Sequence, residues 1–338
     1  LQDPAFREAL YCIKCSACLN VCPIYQAVGG HVFGHVYVGG IGAILTAFIN
    51  GMEEAANPAD LCLLCGACRA VCPMQIDIPR MIVSLRERIA QAKGLPLPQR
   101  VLFSRVLPSG QALDRAHAVG KVVQSPLARW EGLVQGLPFG QALSFPSLPP
   151  LPAKPLRARL GERAAGRPGA TRVVFYSGCL IEHFYPEIGE AVVRVLEDLG
   201  VSVSLPREQP CGGVPARYSG DRAAAVVMAK RNVEILEGAA ADGVVVACPT
   251  CGVAFKREYP EILADEPEWA KRALALADKT VDFSELLVRI LRDTPSEAHA
   301  GASEREGRGS QEETSRTKLT YHDPCHLKRH LGVSTEPR

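Results

Sequence analysis

Residues 12–23 read CIKCSACLNVCP, and residues 62–73 read CLLCGACRAVCP. Both follow C-x2-C-x2-C-x3-C-P, the spacing of a [4Fe–4S] ligand run. Three closely spaced thiolates wrap one cubane. The fourth lies too far along the chain to close the same cube easily, and in two-cluster proteins it reaches the other cluster. The expected ligand sets are therefore crossed: Cys12, Cys15, Cys18 and Cys72 for one cluster, and Cys62, Cys65, Cys68 and Cys22 for the second. Zinc is the alternative, but structural zinc favours paired CxxC, or CxxC with histidines, at four ligands per ion. A triplet with a trailing Cys-Pro does not fit that pattern. Two such clusters would move electrons one at a time.

Working outward, the insert between the runs is rich in glycine: Gly29, Gly30, Gly34, Gly39, Gly40 and Gly42. Glycine lets backbone approach a cofactor closely; a compact loop around a small core is an equal reading. Residues 36–49 form the longest mostly apolar run, short of the about 20 residues that span a bilayer, and read as a buried segment beside the clusters. GxGxxG spacing is missing there, so no dinucleotide site is read. Residues 79–92 predict an amphipathic helix, with Ile82, Leu85 and Ile89 at helical spacing. A domain of residues 1–92 has little room for a core, and its clusters act as staples.

The chain has 338 residues, a net charge of +2 and 13 cysteines. That length suggests two or three domains at about 100–200 residues each. Near-balanced charge gives no basis for nucleic-acid binding and no strong pull to a membrane; peripheral association stays open. Every cysteine falls in a metal-type motif, which leaves none for a bridge and points to a reducing cytoplasm. The first residues carry no signal-peptide pattern. Both ends look cut from a longer chain.

Residues 93–170 change character. One or two helices are expected between 98 and 135. The proline-rich, basic stretch from about 137 to 170 reads as an extended linker, with Arg157, Arg159, Arg163 and Arg167 on a solvated surface. From 171 on, strand and helix alternate. Residues 173–176 read as a strand, then Ile188, Val192, Val195 and Leu199 as a helix closed by Gly200. Val201, Val203 and Leu205 alternate as a second strand. Asp221 reads as an N-cap, followed by Ala224, Val227, Met228 and Ile235 on one helical face. Residues 244–247 read as a third strand, 296–317 as a flexible insertion, and 319–322 as a last strand. This alternation implies a mostly parallel, doubly wound sheet. The fold class is α+β multidomain: a small helical dicluster domain, then an α/β cysteine-rich domain over 171–338.

The expected strands place Cys179, Cys248 and Cys325 directly after strand ends and Cys211 in the loop after another. Open parallel sheets bind ligands beyond the carboxyl ends of their strands. Cys248 and Cys251 add the CxxC bite that soft metals favour. Buried structural cysteines or a thioredoxin-like CxxC are the alternatives, and neither explains all five positions. Among the histidines, His31, His35 and His322 read as loop residues; His326, beside Cys325, is the one candidate ligand. No Ser–His–Asp set, phosphate loop or flavin fingerprint is present.

These residues carry a resemblance. The pattern Cys179-x31-Cys211-Gly212-Gly213-x34-Cys248-x2-Cys251 resembles the cysteine-rich CCG domain found in heterodisulfide reductases, glycolate oxidase iron–sulfur subunits, anaerobic glycerol-3-phosphate dehydrogenases and lactate-utilisation proteins. YHDPCHL at 321–327 resembles the start of a second, truncated CCG copy. The stretch CIKCSACLNVCPIYQAVGGHVFGHVYVGGIGAILT is similar to the ferredoxin segment of B-type lactate-utilisation iron–sulfur proteins, whose preceding domain is not seen here. The chain thus resembles an inner piece of a B-type and A-type fusion. The family motif has adjacent cysteines where this chain has Cys211-Gly212. In the heterodisulfide reductase branch five cysteines hold a noncubane cluster; four here suffice for a cubane or zinc.

The resemblance implies two [4Fe–4S] clusters and a third iron–sulfur centre, or zinc, in the cysteine-rich domain. It implies a cytoplasmic electron-transfer component that works with other oxidoreductase subunits on a 2-hydroxy acid such as L-lactate. Two alternatives stand beside it: a heterodisulfide reductase-like thiol/disulfide catalytic unit, and a zinc-stabilised interaction domain attached to a ferredoxin.

Overall fold

A computed structural model describes residues 3–34, 36–135, 149–161, 171–239, 241–293 and 320–338, with side chains in the helix ending at Gln135 described through residue 124. Both cysteine runs adopt the same turn. Lys14 and Ser16 in the first, and Leu64 and Gly66 in the second, all have positive φ. The chain curls back between the cysteines of each C-x2-C-x2-C, which turns its thiols toward one side. A short helix follows each turn, Ala17–Asn20 and Ala67–Val71.

Three longer helices hold the two turns: α1 (Gly39–Ile49), α2 (Met52–Asp60) and α3 (Ile78–Lys93). The apolar run of 36–49 is thus largely helical, and Ile41, Ala43, Ile44 and Ala47 on α1 are buried. Its glycines serve close packing. A Cβ at Gly40 would meet Ile78 Cγ2 at 2.5 Å, and one at Gly42 would meet the Tyr37 carbonyl at 2.5 Å. The helix expected over 79–92 is α3, capped by the Asp77 carboxylate accepting from Arg80 N at 3.2 Å. Met81, Ile82 and Leu85 pack against Ile44, Ala55 and Ala59, with Cys12, Cys18, Cys62, Cys68 and Cys72 at the rim of this core.

The stretch after α3 is more than a spacer. Leu97–Val101, Leu102–Val106 and α4 (Gly110–Gln135) are helical, and Phe103, Leu107 and Leu113 join the core of the C-terminal sheet. Leu156, in the short helix Leu156–Leu160, is fully buried. Arg157 corrects the expectation of a solvated basic surface. Its side chain is largely buried and pairs with Glu182 at 3.1 Å and Asp114 at 3.6 Å. The short helix lays it over Glu182, which the linear charge pattern does not reveal. Arg163 and Arg167 lie outside the described residues.

The C-terminal sheet has four strands: β1 (Arg172–Tyr176), β2 (Ser202–Ser204), β3 (Gly243–Val246) and β4 (Thr280–Asp282). All pairs are parallel, in the order β2-β1-β3-β4. Helices α5 (Pro186–Asp198), α6 (Arg222–Gly238), α7 (Pro267–Lys279) and α8 (Phe283–Asp293) alternate with the strands. Strand periodicity divides the side chains between two faces. Val174, Tyr176, Val244 and Val246 pack with Met228, Val233 and Leu276 of α6 and α7. Val173, Phe175, Val245 and Val281 face Val192, Val193 and Leu196 of α5 and Leu286 and Ile290 of α8. Asp221 caps α6 as expected, accepting from Ala224 N at 3.0 Å.

Four expectations shift. Ile188 and Val227 are exposed, because the buried stripes of α5 and α6 are centred on Val192–Val193–Leu196 and on Met228–Ala229–Val233. No strand forms at residues 320–324; residue 319 lies outside the described residues, as does the insertion of 296–317. The fourth strand is instead Thr280–Asp282, too short to show a period-2 signal. The segment 320–338 carries a π-helical stretch, His326–Leu331, packed on the helix Pro249–Val253.

Candidate metal centres

Cys12, Cys15, Cys18 and Cys72 line one cavity of about 240 Å³, with Ile41, Gly42 and Ile76 on its walls. Cys22, Cys62, Cys65 and Cys68 line a second, together with Cys18, Gly40 and Pro58. The trailing cysteine of each run therefore faces the triplet of the other. The first cavity has room for a large inorganic group. The second is tighter than the first, at about 30 Å³ on the same measure.

Burial pushes the Cys18, Cys62 and Cys68 thiols up, Cys68 to about 12, and neighbouring cysteines add to the rise at Cys18 and Cys68. Arg86 opposes the rise at Cys62. Thiols of this kind stay protonated near neutrality and lose their protons to a bound metal.

The second set of cysteines sits where the sheet order reverses. β1 and β3 are neighbours, yet their chains leave in opposite directions, to β2 and to β4. This is the switch point at which open parallel sheets bind ligands. Cys179 follows β1 and Cys248 follows β3, each within a few residues of the strand end. Cys211 reaches the same rim because its loop is fastened on several sides. Gln209 bonds Phe175 O and Ser177 N at 3.0 Å each. Tyr176 OH donates to Pro210 O at 2.6 Å, and Asn232 donates to Cys211 O at 3.0 Å. Tyr259 OH donates to Gly212 O, also at 3.0 Å.

The result is two sulfur pairs. Cys179 and Cys211 stand 3.9 Å apart. Their shared hydrogen bond holds the Cys179 thiol low and the Cys211 thiol high, with burial adding to the latter. In the CxxC, the hydrogen bond from Cys251 helps bring Cys248 down to about 6, while Cys251, fully enclosed, is pushed well up. One member of each pair is thus poised to ionise. Gly212 borders this group. An ideal Cβ there lies 3.7 Å from Cys251 Sγ and 3.7 Å from Tyr176 OH, so position 212 borders the cysteines at ordinary contact distance. Among the described residues, no three histidine, cysteine or acidic side chains close around a single ion. Tetrahedral zinc needs sulfurs about 3.8 Å apart throughout, whereas cubane ligands sit on separate irons and stand farther apart.

Cys325 caps the stretch His326–Leu331, which packs on the helix Pro249–Val253. Its sulfur contacts His326 Nδ1 at 3.6 Å, and the segment before it is not a strand, so the strand-end argument does not carry it to the rim. His326 stacks between Tyr218 and His330, at ring distances of 6.2 and 5.0 Å. His322 and His31 lie in exposed segments; His35 lies outside the described residues.

One set of site residues was missed from sequence. Arg86, on α3, donates to Cys62 O at 2.6 Å, Ala59 O at 2.8 Å and Tyr218 O at 2.9 Å. Arg217 is buried between Glu87 of α3 and Glu258 and Glu261 of the C-terminal part. His330 contacts Leu64 O at 3.1 Å and Arg257 at 3.2 Å. These groups join the second cysteine turn to the sheet module. Single arginines and histidines on helices carry no spacing signal that could have found them.

A profile described as a 4Fe-4S dicluster domain matches residues 8–76, and one described as a cysteine-rich domain, CCG, matches residues 173–256. No solved structure matches the chain. A lactate utilization protein A of Bacillus cereus (strain G9842) is 34% identical over 166 residues, 49% of this chain and 62% of that protein. Similarity to a Bacillus subtilis (strain 168) protein named "Probable glycolate oxidase iron-sulfur subunit" runs through both cysteine modules and the stretch between them. At 30% identity over 98% of its own residues and 74% of that relative, the chain belongs to the glycolate oxidase iron–sulfur subunit family.

Proposed function

We propose that this chain is the iron–sulfur electron-transfer component of an oxidoreductase acting on a 2-hydroxy acid, glycolate or L-lactate, in the cytoplasm together with other subunits. The observation that carries this reading is the crossed lining of the two cavities, Cys12, Cys15, Cys18 and Cys72 in one and Cys22, Cys62, Cys65 and Cys68 in the other. These sets would each hold a [4Fe–4S] cluster. When bound, such clusters accept and release single electrons and spread the charge over the cube. Cys179, Cys211, Cys248 and Cys251 would hold a third centre. The substrate class rests on the names of the glycolate and lactate relatives. Among the described residues no helix is long and apolar enough to cross a membrane.

The residues divide the work. The two αL turns fix the backbone so that each triplet converges. Apolar walls from Ile41, Ile76 and Ile78 keep water from one side of the first cavity. The loop bonds from Gln209, Asn232 and Tyr259 hold Cys211 and Gly212 against the sheet rim. We assign residues 1–92 to the dicluster domain, 93–170 to a connecting segment and 171–338 to the CCG domain.

Anaerobic reconstitution of the whole chain tests this. About eight iron and eight sulfide for the dicluster part are expected, plus those of the third centre. Cys22→Ala should disturb the EPR signal of the Cys62 triplet, and Cys72→Ala that of the Cys12 triplet. Damage confined to each variant's own run overturns the crossed assignment. Stoichiometric zinc without iron overturns electron transfer altogether. For the substrate, anaerobic glycolate or L-lactate should bleach the visible absorbance of the chain together with its co-purifying subunits. Bleaching by neither acid removes the substrate and leaves the cluster reading standing.

A further inference from the structure

The two cysteine runs are near copies in sequence and in backbone, but their surroundings differ. The Arg86 side chain is only 10% exposed. Its guanidinium donates to four carbonyls: Ala59 O at 2.8 Å, Asp60 O at 3.3 Å, Cys62 O at 2.6 Å and Tyr218 O at 2.9 Å. Carbonyl oxygens satisfy its donors without cancelling its charge. The one carboxylate in reach, Asp60, stands 3.9 Å away with its side chain 79% exposed to solvent. A nearly buried cation with little compensation therefore sits against the backbone of Cys62. The same turn is bonded from outside by His330 at Leu64 O and by Arg329 at Cys65 O.

The cation of the first turn is Lys14 of the turn itself, exposed to solvent and lying over the Tyr37 ring at 5.7 Å. No arginine or lysine of the described residues donates to a carbonyl of that turn. Cys15, Ile13 and Ser16 are exposed. Arg88, two residues along the same helix, is neutralised by Asp3 and lies over the Phe6 ring at 5.5 Å.

We propose that Arg86 is a positioning residue that fixes the Cys62 turn and raises the reduction potential of the cluster held there above that of the cluster on the Cys12 turn. The physical basis is charge. Reduction adds an electron to a thiolate-bound cluster, and net charge and hydrogen bonding set its potential. A cation held in a medium of low polarisability favours the reduced form more than it would in water. Arg86 also donates to Tyr218 O, so the same group that favours the electron on this cluster clasps the sheet module. The difference between the runs thus points electrons toward the C-terminal cysteines. The inference rests on the crossed ligand reading, and its test separates the two.

The experiment is a potentiometric EPR titration of the full, cluster-loaded chain, as wild type, Arg86→Gln and Arg86→Lys. In the wild type the Cys62 cluster should reduce first. In Arg86→Gln, its reduced-to-oxidised ratio at a fixed potential should fall about tenfold, equivalent to about 59 mV for one electron. The Cys12 cluster should not move. Arg86→Lys, which keeps the charge and loses the fork, should restore most of the shift. If Arg86→Gln leaves the Cys62 cluster where it was, shifts both clusters alike, or behaves like Arg86→Lys, the proposal is overturned. Should Arg86→Gln fail to load this cluster while Arg86→Lys loads it at the wild-type potential, the charge requirement stands. If neither variant loads it and the helical circular dichroism is intact, Arg86 is a structural clasp only and the proposal falls. A wild-type chain with fewer than two cubane signals refutes the ligand reading instead, before any variant is compared.

Discussion

Gly212→Cys is the most direct probe of the proposed third centre. Position 212 has no steric bar to a Cβ: the nearest atoms to it are Cys251 Sγ and Tyr176 OH at 3.7 Å, ordinary contact distances, and its φ is not positive. A side chain there lowers the entropy of the unfolded chain, which by itself stabilises by about 0.4–1 kcal/mol. Gly212→Ala isolates that effect. Gly178 is the contrast. Its φ is +67°, and a Cβ would stand 3.0 Å from the same Cys251 sulfur. A left-handed non-glycine residue costs about 1–2 kcal/mol before any clash. Denaturant unfolding of the metal-free protein should therefore give Gly212→Ala and Gly178→Ala opposite signs, separated by roughly 1.5–3 kcal/mol. In loaded protein, Gly212→Cys adds a fifth sulfur next to Cys251 and should change the EPR and optical spectra of the third centre alone. A destabilised Gly212→Ala would refute the room for a Cβ. An unchanged third-centre spectrum in loaded Gly212→Cys would refute the placement of residue 212 at the metal.

Arg217→Ala should lower stability by about 3–5 kcal/mol, because Glu87 and Glu258, both largely buried, would lose their shared cation; a change under about 1 kcal/mol in urea unfolding would show that the cluster does not join the two modules. His330 makes stability pH-dependent. Burial, with His326 and Arg257 adding to it, pushes its pKa down to about 4, against about 6.5 when unfolded. Between those values the unfolded chain binds a proton that the folded chain does not, so stability should fall as pH drops from about 6.5 to 4. His330→Gln should flatten that part of the stability profile, and an unchanged profile would refute it. Metal loading should respond in the same direction: thiols raised by burial, Cys68 above all, must lose protons to the metal, so iron uptake measured against a chelator should weaken as pH falls.

The fold was legible where physics leaves a period or a spacing. The triplets gave their own turns, since three thiols at i, i+3 and i+6 can face one point only if the backbone curls. Val173 to Tyr176 and Gly243 to Val246 are near-continuous apolar runs, as strands buried on both faces must be. Thr280–Asp282 could not be read, because three residues are too few to set an alternation apart from chance. Residues before Cys325 suggested a strand through Tyr321 and His322, yet residues 320–324 form no ladder, although β2 and β4 each keep an outer edge unpaired among the described residues. Cys179, Cys211, Cys248 and Cys251 were found because strand ends converge at the switch point. Arg86, Arg217 and His330 were not, because their meaning lies in contacts between modules more than a hundred residues apart in sequence.

One signal of that contact was nevertheless in the chain. The two runs differ at the residue before the third cysteine's helix, Ser16 in one and Gly66 in the other, both with positive φ. Backbone conformation alone does not explain glycine there, since Ser16 manages the same turn. Surroundings do. A Cβ on Gly66 would stand 2.9 Å from His330 Nε2 and 3.5 Å from Arg329 Cβ, so the second turn lacks a side chain because the C-terminal segment lies on it. Ser16 is exposed in the corresponding place. The same substitution that looks like a neutral variation in a repeated motif thus separates an open turn from a covered one. It leaves the first turn open to solvent and sets the covered one, with its arginine, against the C-terminal segment.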